Sequence, residues 1–288
     1  MDNYAFTLTP MSQNIDLEPG QTYTGAITIS NPADATSDFA YKVSVTPFGV
    51  IGKEYTIDLT TEYNRSMLTK WVTISEPTGT IKPNTSQKVE FTIKVPANAP
   101  AGGQYAALTV TSNNSSNQDD GLAVQNVFEM ASVLYADIAG ETVHQSQILE
   151  NNIPGFSTGI SPIVLSALLE NTGNVHEYAT YTITVKDLFT GQIILPTNDN
   201  DGRYSEVIMP ETTYYSQREI NNLPVVGVIN VSQTIRLNGE VSIKEGNIII
   251  CPIWFMLLIF VTFAAFVATT VLIIKRHRRR KASKKALL

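Results

Sequence analysis

Cysteine is almost missing: the only one, Cys251, lies inside an apolar run, so the 247 residues before that run contain no disulfide. A stretch of that length builds two ordinary domains without such staples. Many eukaryotic surface sandwiches carry disulfides, so their lack leans toward a bacterial surface protein. Histidine is as scarce. Before the C-terminal tail there are only His144, in a linker, and His176, in a loop, and no GxSxG phrase accompanies them. Surface histidines without that phrase give no support to a Ser-His-Asp triad. The acids sit mostly in turns rather than at strand ends facing a cleft, which gives no lead toward the carboxylate pair of a glycosidase. The chain is therefore read as non-enzymatic, and no cofactor is expected. Helical periodicity is missing too: before residue 248 no stretch reads as an amphipathic helix, and EYNRSMLTKW is at most a short turn. Nor does MDNYAFTLTP offer the basic start and apolar stretch of a signal sequence.

What is present first is an apolar run from Ile248 to Ile274, 27 residues interrupted only by Pro252 and a few Thr. At about 1.5 Å per residue a helix of this length reaches roughly 40 Å, more than the ~30 Å of a hydrocarbon core. It reads as a transmembrane helix over 248–274, with Pro252 in the first turn, where its missing N–H costs little. A basic tail over 275–288 follows: Lys275, Arg276, Arg278, Arg279, Arg280, Lys281, Lys284 and Lys285, with no acid among them. The excess of Lys and Arg marks the cytoplasmic side, which places the tail inside and the large N-terminal region outside a single-pass protein of the cell membrane. Setting those eight bases aside leaves twelve against 26 acids, a balance near −14 before the helix. Such acidity argues against nucleic acid as a partner, and anionic lipid headgroups explain the basic tail better. An exported region needs a signal peptide, so the adopted reading is that it has been trimmed. The alternative is a tail-anchored protein whose PapD-like or major-sperm-protein-like domain faces the cytosol and recruits peptide partners to a membrane.

Before the helix the pattern is short β-type alternation broken by Pro, Gly and Asn. QTYTGAITIS, FAYKVSVTP, KVEFTIKVP and GQYAALTVTS each place apolar residues at alternate positions, as half-buried strands require. The fold class that follows is all-β: two tandem Ig-like antiparallel β-sandwich domains, then one C-terminal transmembrane helix. Two copies are implied by an internal repeat. ISNPADATSDFAYKVSV and LLENTGNVHEYATYTITV match Asn31 with Asn171, Tyr41 with Tyr181, Val43 with Ile183 and Val45 with Val185. IKPNTSQKVEFTIKVP leads to Gly103 as IMPETTYYSQREINNLP leads to Gly227. The polar NNSSNQDDG closes a hairpin into the last strand of the first domain. The boundaries expected are 1–140 and 147–240 for the sandwiches, 141–146 for the linker, and 241–247 for a juxtamembrane linker.

PGQTYTGAITISNPAD, KPNTSQKVEFTIKVPANAPAGGQYAAL and ENTGNVHEYATYTITVKDLFTG together resemble bacterial surface proteins with tandem Ig-like domains, a C-terminal helix and a short basic tail. Among these they resemble the WxL-interacting proteins, whose first domain is of the DUF916 type. The resemblance implies binding of peptidoglycan through the first domain and of other surface proteins through the second, without assigning any glycan-binding residue.

Candidate sites are few. NDNDGRYSE places Asp199, Asp201 and Gly202 at the D-x-D-G spacing of calcium loops, but Ile208 stands where a twelve-residue loop counted from Thr197 would need its Glu. A hairpin turn through Asp201-Gly202 explains the same residues. Sequons at Asn64, Asn84, Asn113, Asn114 and Asn230 are unremarkable in an Asn- and Ser-rich chain. Trp71 is the only tryptophan before the helix; it reads as core packing at a sheet edge, with a stacking platform for sugar as the other reading. Tyr214 and Tyr215 are neighbours and must face opposite ways if they lie in a strand, so one of them is the best candidate for a protein contact. Tyr105, fed from a Pro/Gly corner, is reminiscent of the tyrosine that locks a sandwich corner.

Overall fold

In the computed structural model, described for residues 6–51, 56–112, 128–160, 162–195, 203–221 and 223–285, the alternating segments form strands and the C-terminal run forms a helix. The first sandwich contains β1 (Thr7–Thr9), β2 (Ser12–Leu17), β3 (Thr22–Asn31), β4 (Phe39–Pro47), β5 (Gly49–Ile51) and β6 (Thr56–Asp58). A four-residue helix, α1 (Leu68–Trp71), precedes β7 (Val72–Ile74), β8 (Thr78–Ile81), β9 (Thr85–Lys94), β10 (Gly102–Ser112) and β11 (Glu129–Ile138). One sheet runs β1-β3-β9-β7 and the other β2-β11-β10-β4-β8. Ile27, Ile29, Phe91 and Ile93 from the first meet Tyr41, Val43, Leu108 and Leu134 from the second in a closed apolar core, the burial that stabilises any sandwich.

The second sandwich repeats this plan with β12 (Ser146–Asn152), β13 (Phe156–Ser157), β14 (Ile163–Asn171), β15 (Glu177–Asp187), β16 (Ile193–Leu195), β17 (Arg203–Ile208), β18 (Thr212–Ile220), β19 (Gly227–Leu237) and β20 (Glu240–Ile250). In both domains the first strand divides between the sheets: β1 and β12 pair antiparallel with β3 and β14, while β2 and β13 pair parallel with β11 and β20. Each sandwich therefore has a parallel pair in an otherwise antiparallel frame. The sequence echoes sit at equivalent places. Asn31 and Asn171 end β3 and β14, and each is buried with its side-chain amide donating to two carbonyls: Ser37 and Ile81 in the first copy, Val175 and Ile208 in the second. Tyr41 and Tyr181 are buried in the strand that follows, which lies in the opposite sheet. The turns into β9 and β18 match as well. Asn84 and Glu211 both take a left-handed backbone, with φ of 57° and 58°, and the next residue, Thr85 or Thr212, donates its hydroxyl to a carbonyl three residues back at 2.7 Å.

The C-terminal end departs from the sequence reading. Residues 241–247, expected to be a juxtamembrane linker, belong to β20, which pairs with β19 along its whole length and carries Ile248 and Ile250 into the core. The apolar run thus begins as a core strand. The helix, α2 (Ile253–Lys285), starts only after Cys251 and Pro252 and continues through most of the basic segment. Its apolar part, Ile253–Arg276, has 24 residues, none of them buried against the sandwiches. At about 1.5 Å per residue that is roughly 36 Å, long enough to cross a hydrocarbon core.

Candidate functional site

The two sandwiches differ in one respect that bears on binding. In the first, β9 is flanked by β3 on one side and covered in part by β7 on the other; its counterpart β18 pairs with β14 alone. Among the described residues no strand pairs with the outer edge of β18, a nine-residue strand whose backbone groups at alternate positions face away from β14 and are left for a partner. Period-two alternation places the side chains of TTYYSQREI: Tyr214, Ser216 and Ile220 point inward and are buried, while Thr213, Tyr215, Gln217 and Glu219 belong to the outer face. Tyr214 donates its hydroxyl to Glu206 at 2.8 Å, and burial beside that carboxylate pushes its pKa up. Arg218 also pairs with Glu206, and its guanidinium lies 5.1 Å from the centre of the Tyr181 ring. Tyr215, half-buried, is the aromatic that this edge presents.

The N-terminal end of β18 opens into a cleft between the domains. It has a volume of about 290 Å³ and is lined by Phe48, Tyr63, Arg65, Tyr105, Met209 and Glu211, among others. Arg65 spans the cleft and donates to Glu211 at 2.8 Å. Behind it the two sandwiches meet in a buried joint. Phe48, Tyr105, Ala107 and Tyr135 from the first pack against Met209 from the second. His176 inserts among Tyr105, Tyr135 and Tyr178, with ring centroids 5.8, 5.0 and 5.3 Å away. Its Nδ1 lies 3.4 Å from the Tyr105 hydroxyl and 3.7 Å from the Asp137 carboxylate. Burial pushes the His176 pKa down against the pull of Asp137, and burial raises that of Asp137.

Asn174 ties the joint to the linker. Its carbonyl accepts from the Gly103 N–H at 2.8 Å, its side-chain oxygen from Val143 N–H at 2.7 Å, and its amide donates to the Glu141 carbonyl at 2.9 Å. Gly102 allows this approach. Its φ is +98°, and a Cβ there would lie 2.5 Å from the Asn174 carbonyl oxygen. On the far side a second, more open cleft of about 770 Å³ is bordered by Asp16, Glu18, Asp137 and His144.

The residues singled out in the sequence fare unevenly. Trp71 is 7% exposed and belongs to the core of the first sandwich, where the end of α1 turns it inward, so it is no platform for a sugar. Tyr214 is likewise a core residue, which corrects its candidacy as a contact and leaves Tyr215 as the one that faces outward. Asp199 and Asp201 lie outside the described residues; among those described, no three metal-ligating side chains gather. Lys275 and Arg276 are exposed on α2, and the side chains of the remaining tail bases lie outside the described set. His176 is no surface histidine, and Tyr105 bridges two domains instead of locking a corner of its own. The available signal was Tyr105 to Leu108, four consecutive apolar residues where a one-sided strand would alternate with polar ones; the strand is in fact buried on both faces from Gly102 to Val110.

No family model matches the chain, and no curated protein matches it. Among solved structures it is similar to the class 5 fimbriae chaperone CfaA, with a TM-score of 0.41 and 14% identity over 84% of this chain and 98% of that one. It is similar also to a structure of the CsuC–CsuE chaperone–tip adhesion subunit pre-assembly complex from Acinetobacter baumannii, at 0.41 and 13% over 84% and 97%. A third is PapD-like domain 7 of human CEP192, at 0.30 and 15% over 48% and 87%. With TM-scores this low the likeness carries no functional argument, and the two-sandwich plan rests on the strand order itself.

Proposed function

We propose that this chain is a non-catalytic binding protein held at a membrane by α2, which presents its two sandwiches as one jointed unit and takes a protein partner along the open edge of β18. The observation that carries the reading is the continuity of β20 with α2: a core strand passes through only Cys251 and Pro252 into a helix whose apolar span has no residue buried against the sandwiches. An apolar surface of that extent is unstable in water and is satisfied by lipid. The basic flank favours the orientation with the sandwiches outside the cell and the tail inside. Within this proposal, the resemblance of the quoted phrases to those of WxL-interacting proteins suggests that family as a relative, with another surface protein or peptidoglycan as the ligand.

The partner side rests on the edge. An extended segment added to β18 would gain main-chain hydrogen bonds, with Tyr215 and the Arg65 cleft setting register and specificity. The balance near −14 before the helix favours a basic or neutral partner over an acidic wall polymer. Two measurements test the reading. Protease added to intact cells removes the sandwiches and spares a tail epitope; loss of the tail epitope with survival of the sandwiches supports the tail-anchored cytosolic alternative instead. Purified wild-type protein retains a solubilised surface protein or peptidoglycan, and Tyr215→Ala loses about 2 kcal/mol of that affinity, if the ring is an anchor. Equal retention by both forms moves the contact away from β18.

A further inference from the structure

The end of the second sandwich from which α2 emerges is built differently from the rest of the surface. Three loops converge there. Gly159 abuts Ile250, Val225 and Pro252, since a Cβ added to it would lie 3.3 to 3.9 Å from atoms of those three residues. The Leu188 N–H donates to the Val228 carbonyl at 2.9 Å, which brings the loop after β15 alongside the loop before β19. The Cys251 N–H donates to Ser157, fastening the strand-to-helix junction into the same group.

The tips of these loops are apolar and exposed: Phe189 at 77%, Ile160 at 74% and Val225 at 68%, with Leu188 and Phe156 beside them. The segments 155–163, 188–193 and 221–228 contain no Asp, Glu, Lys or Arg, in a chain that is 16% charged. The Phe189 turn is fixed, because the Asp187 carboxylate accepts from the N–H groups of Phe189 and Thr190 at 2.9 and 2.8 Å. Trp254, exposed in the first turn of α2, stands at the same level of the chain. Uncharged apolar tips with aromatics at the start of a spanning helix are the composition of a membrane interface.

We infer that this end of the second sandwich is a lipid-binding rim: Phe189, Ile160 and Val225 enter the boundary between headgroups and acyl chains around α2 and seat the sandwich on the bilayer. The inference rests on the reading of α2 as the anchor. The occupant is the bilayer in which α2 sits, because the loops lie at the end of the β13-β20-β19-β15 sheet from which that helix leaves, and only Cys251 and Pro252 separate β20 from it.

The test uses the full chain in phosphatidylcholine vesicles, with Cys251→Ser as background and single spin labels at Phe189→Cys, Val225→Cys, Lys88→Cys and Phe263→Cys. The expected result is that labels at 189 and 225 relax more with lipid-phase oxygen and less with an aqueous nickel chelate than the label at 88, and that the label at 263 reports the hydrocarbon. If 263 is embedded while 189 and 225 match 88, the rim is overturned and the anchor stands. If 189 and 225 are shielded from both agents, a protein covers them, and the rim is again overturned. If 263 is accessible to nickel, the anchor fails and the rim with it.

Discussion

Asn31 and Asn171 show how far a single side chain fixes this architecture. Each ends a strand in the core and one amide group serves two carbonyls; at Asn171 both bonds are buried, and at Asn31 the bond to Ile81 is buried while that to Ser37 is partly so. Removing it leaves both carbonyls unpaired, at about 1–3 kcal/mol for each buried group. Asn171→Ala is therefore expected to lower stability by about 2–4 kcal/mol, read as a lower midpoint in urea unfolding. A shift below half a kcal/mol means that water replaces the amide. The pair was legible in the sequence because each Asn stands ten residues before a buried tyrosine in the same phrase. Tyr214 and Tyr215 were legible as opposites, but alternation alone does not say which of two neighbours faces the core. His176 was not legible at all. Periodicity reports a residue's place relative to its own sheet, and His176 is buried by contacts from the other domain.

At the scale of elements, β20 is where composition misled. Ile248, Ile249 and Ile250 adjoin an apolar run, and hydropathy cannot separate the end of a core strand from the start of a spanning helix. Only pairing decides, and β20 pairs with β19 from Glu240 to Ile250. Ile248 and Ile250 also close the lower core of the second sandwich with Leu165, Val185 and Val231. A fragment 141–240 consequently lacks the strand that lies between β13 and β19 and part of its core and is expected to stay unfolded, whereas 141–250 folds. Circular dichroism distinguishes them: a β-sheet spectrum with a cooperative thermal transition for 141–240 would show β20 to be dispensable. The open edge of β18 was equally hidden, because whether a strand has a second neighbour depends on a distant segment, β7 in the first domain and none described in the second.

The molecule as a whole is organised around its joint, and the joint has opposed proton linkages. His176 has its pKa lowered by burial, so an opened or unfolded chain binds a proton there more readily than the closed one. Its contribution is fully present above the ordinary histidine value of about 6.5 and is lost as pH falls below it. Asp137 has its pKa raised by burial, so the closed joint binds the proton better, and its contribution grows as pH falls through the raised value. The two groups lie 3.7 Å apart and partly cancel, within a setting that also holds Tyr105, Tyr135, Tyr178, Asp16, His144 and Glu177. Between pH 7.5 and 5 the wild type is therefore expected to lose less stability than a variant that keeps His176 without Asp137. Separating the partners should reveal each sign. Asp137→Asn leaves His176 without its counter-charge, and stability falls with decreasing pH by up to about 1.4 kcal/mol per unit, the limit for one proton. His176→Gln leaves the carboxyl alone, and stability rises as pH falls. Thermal unfolding of the full chain in detergent across that range measures both slopes; variants that both run parallel to the wild type would remove this pair from the energetics of the joint.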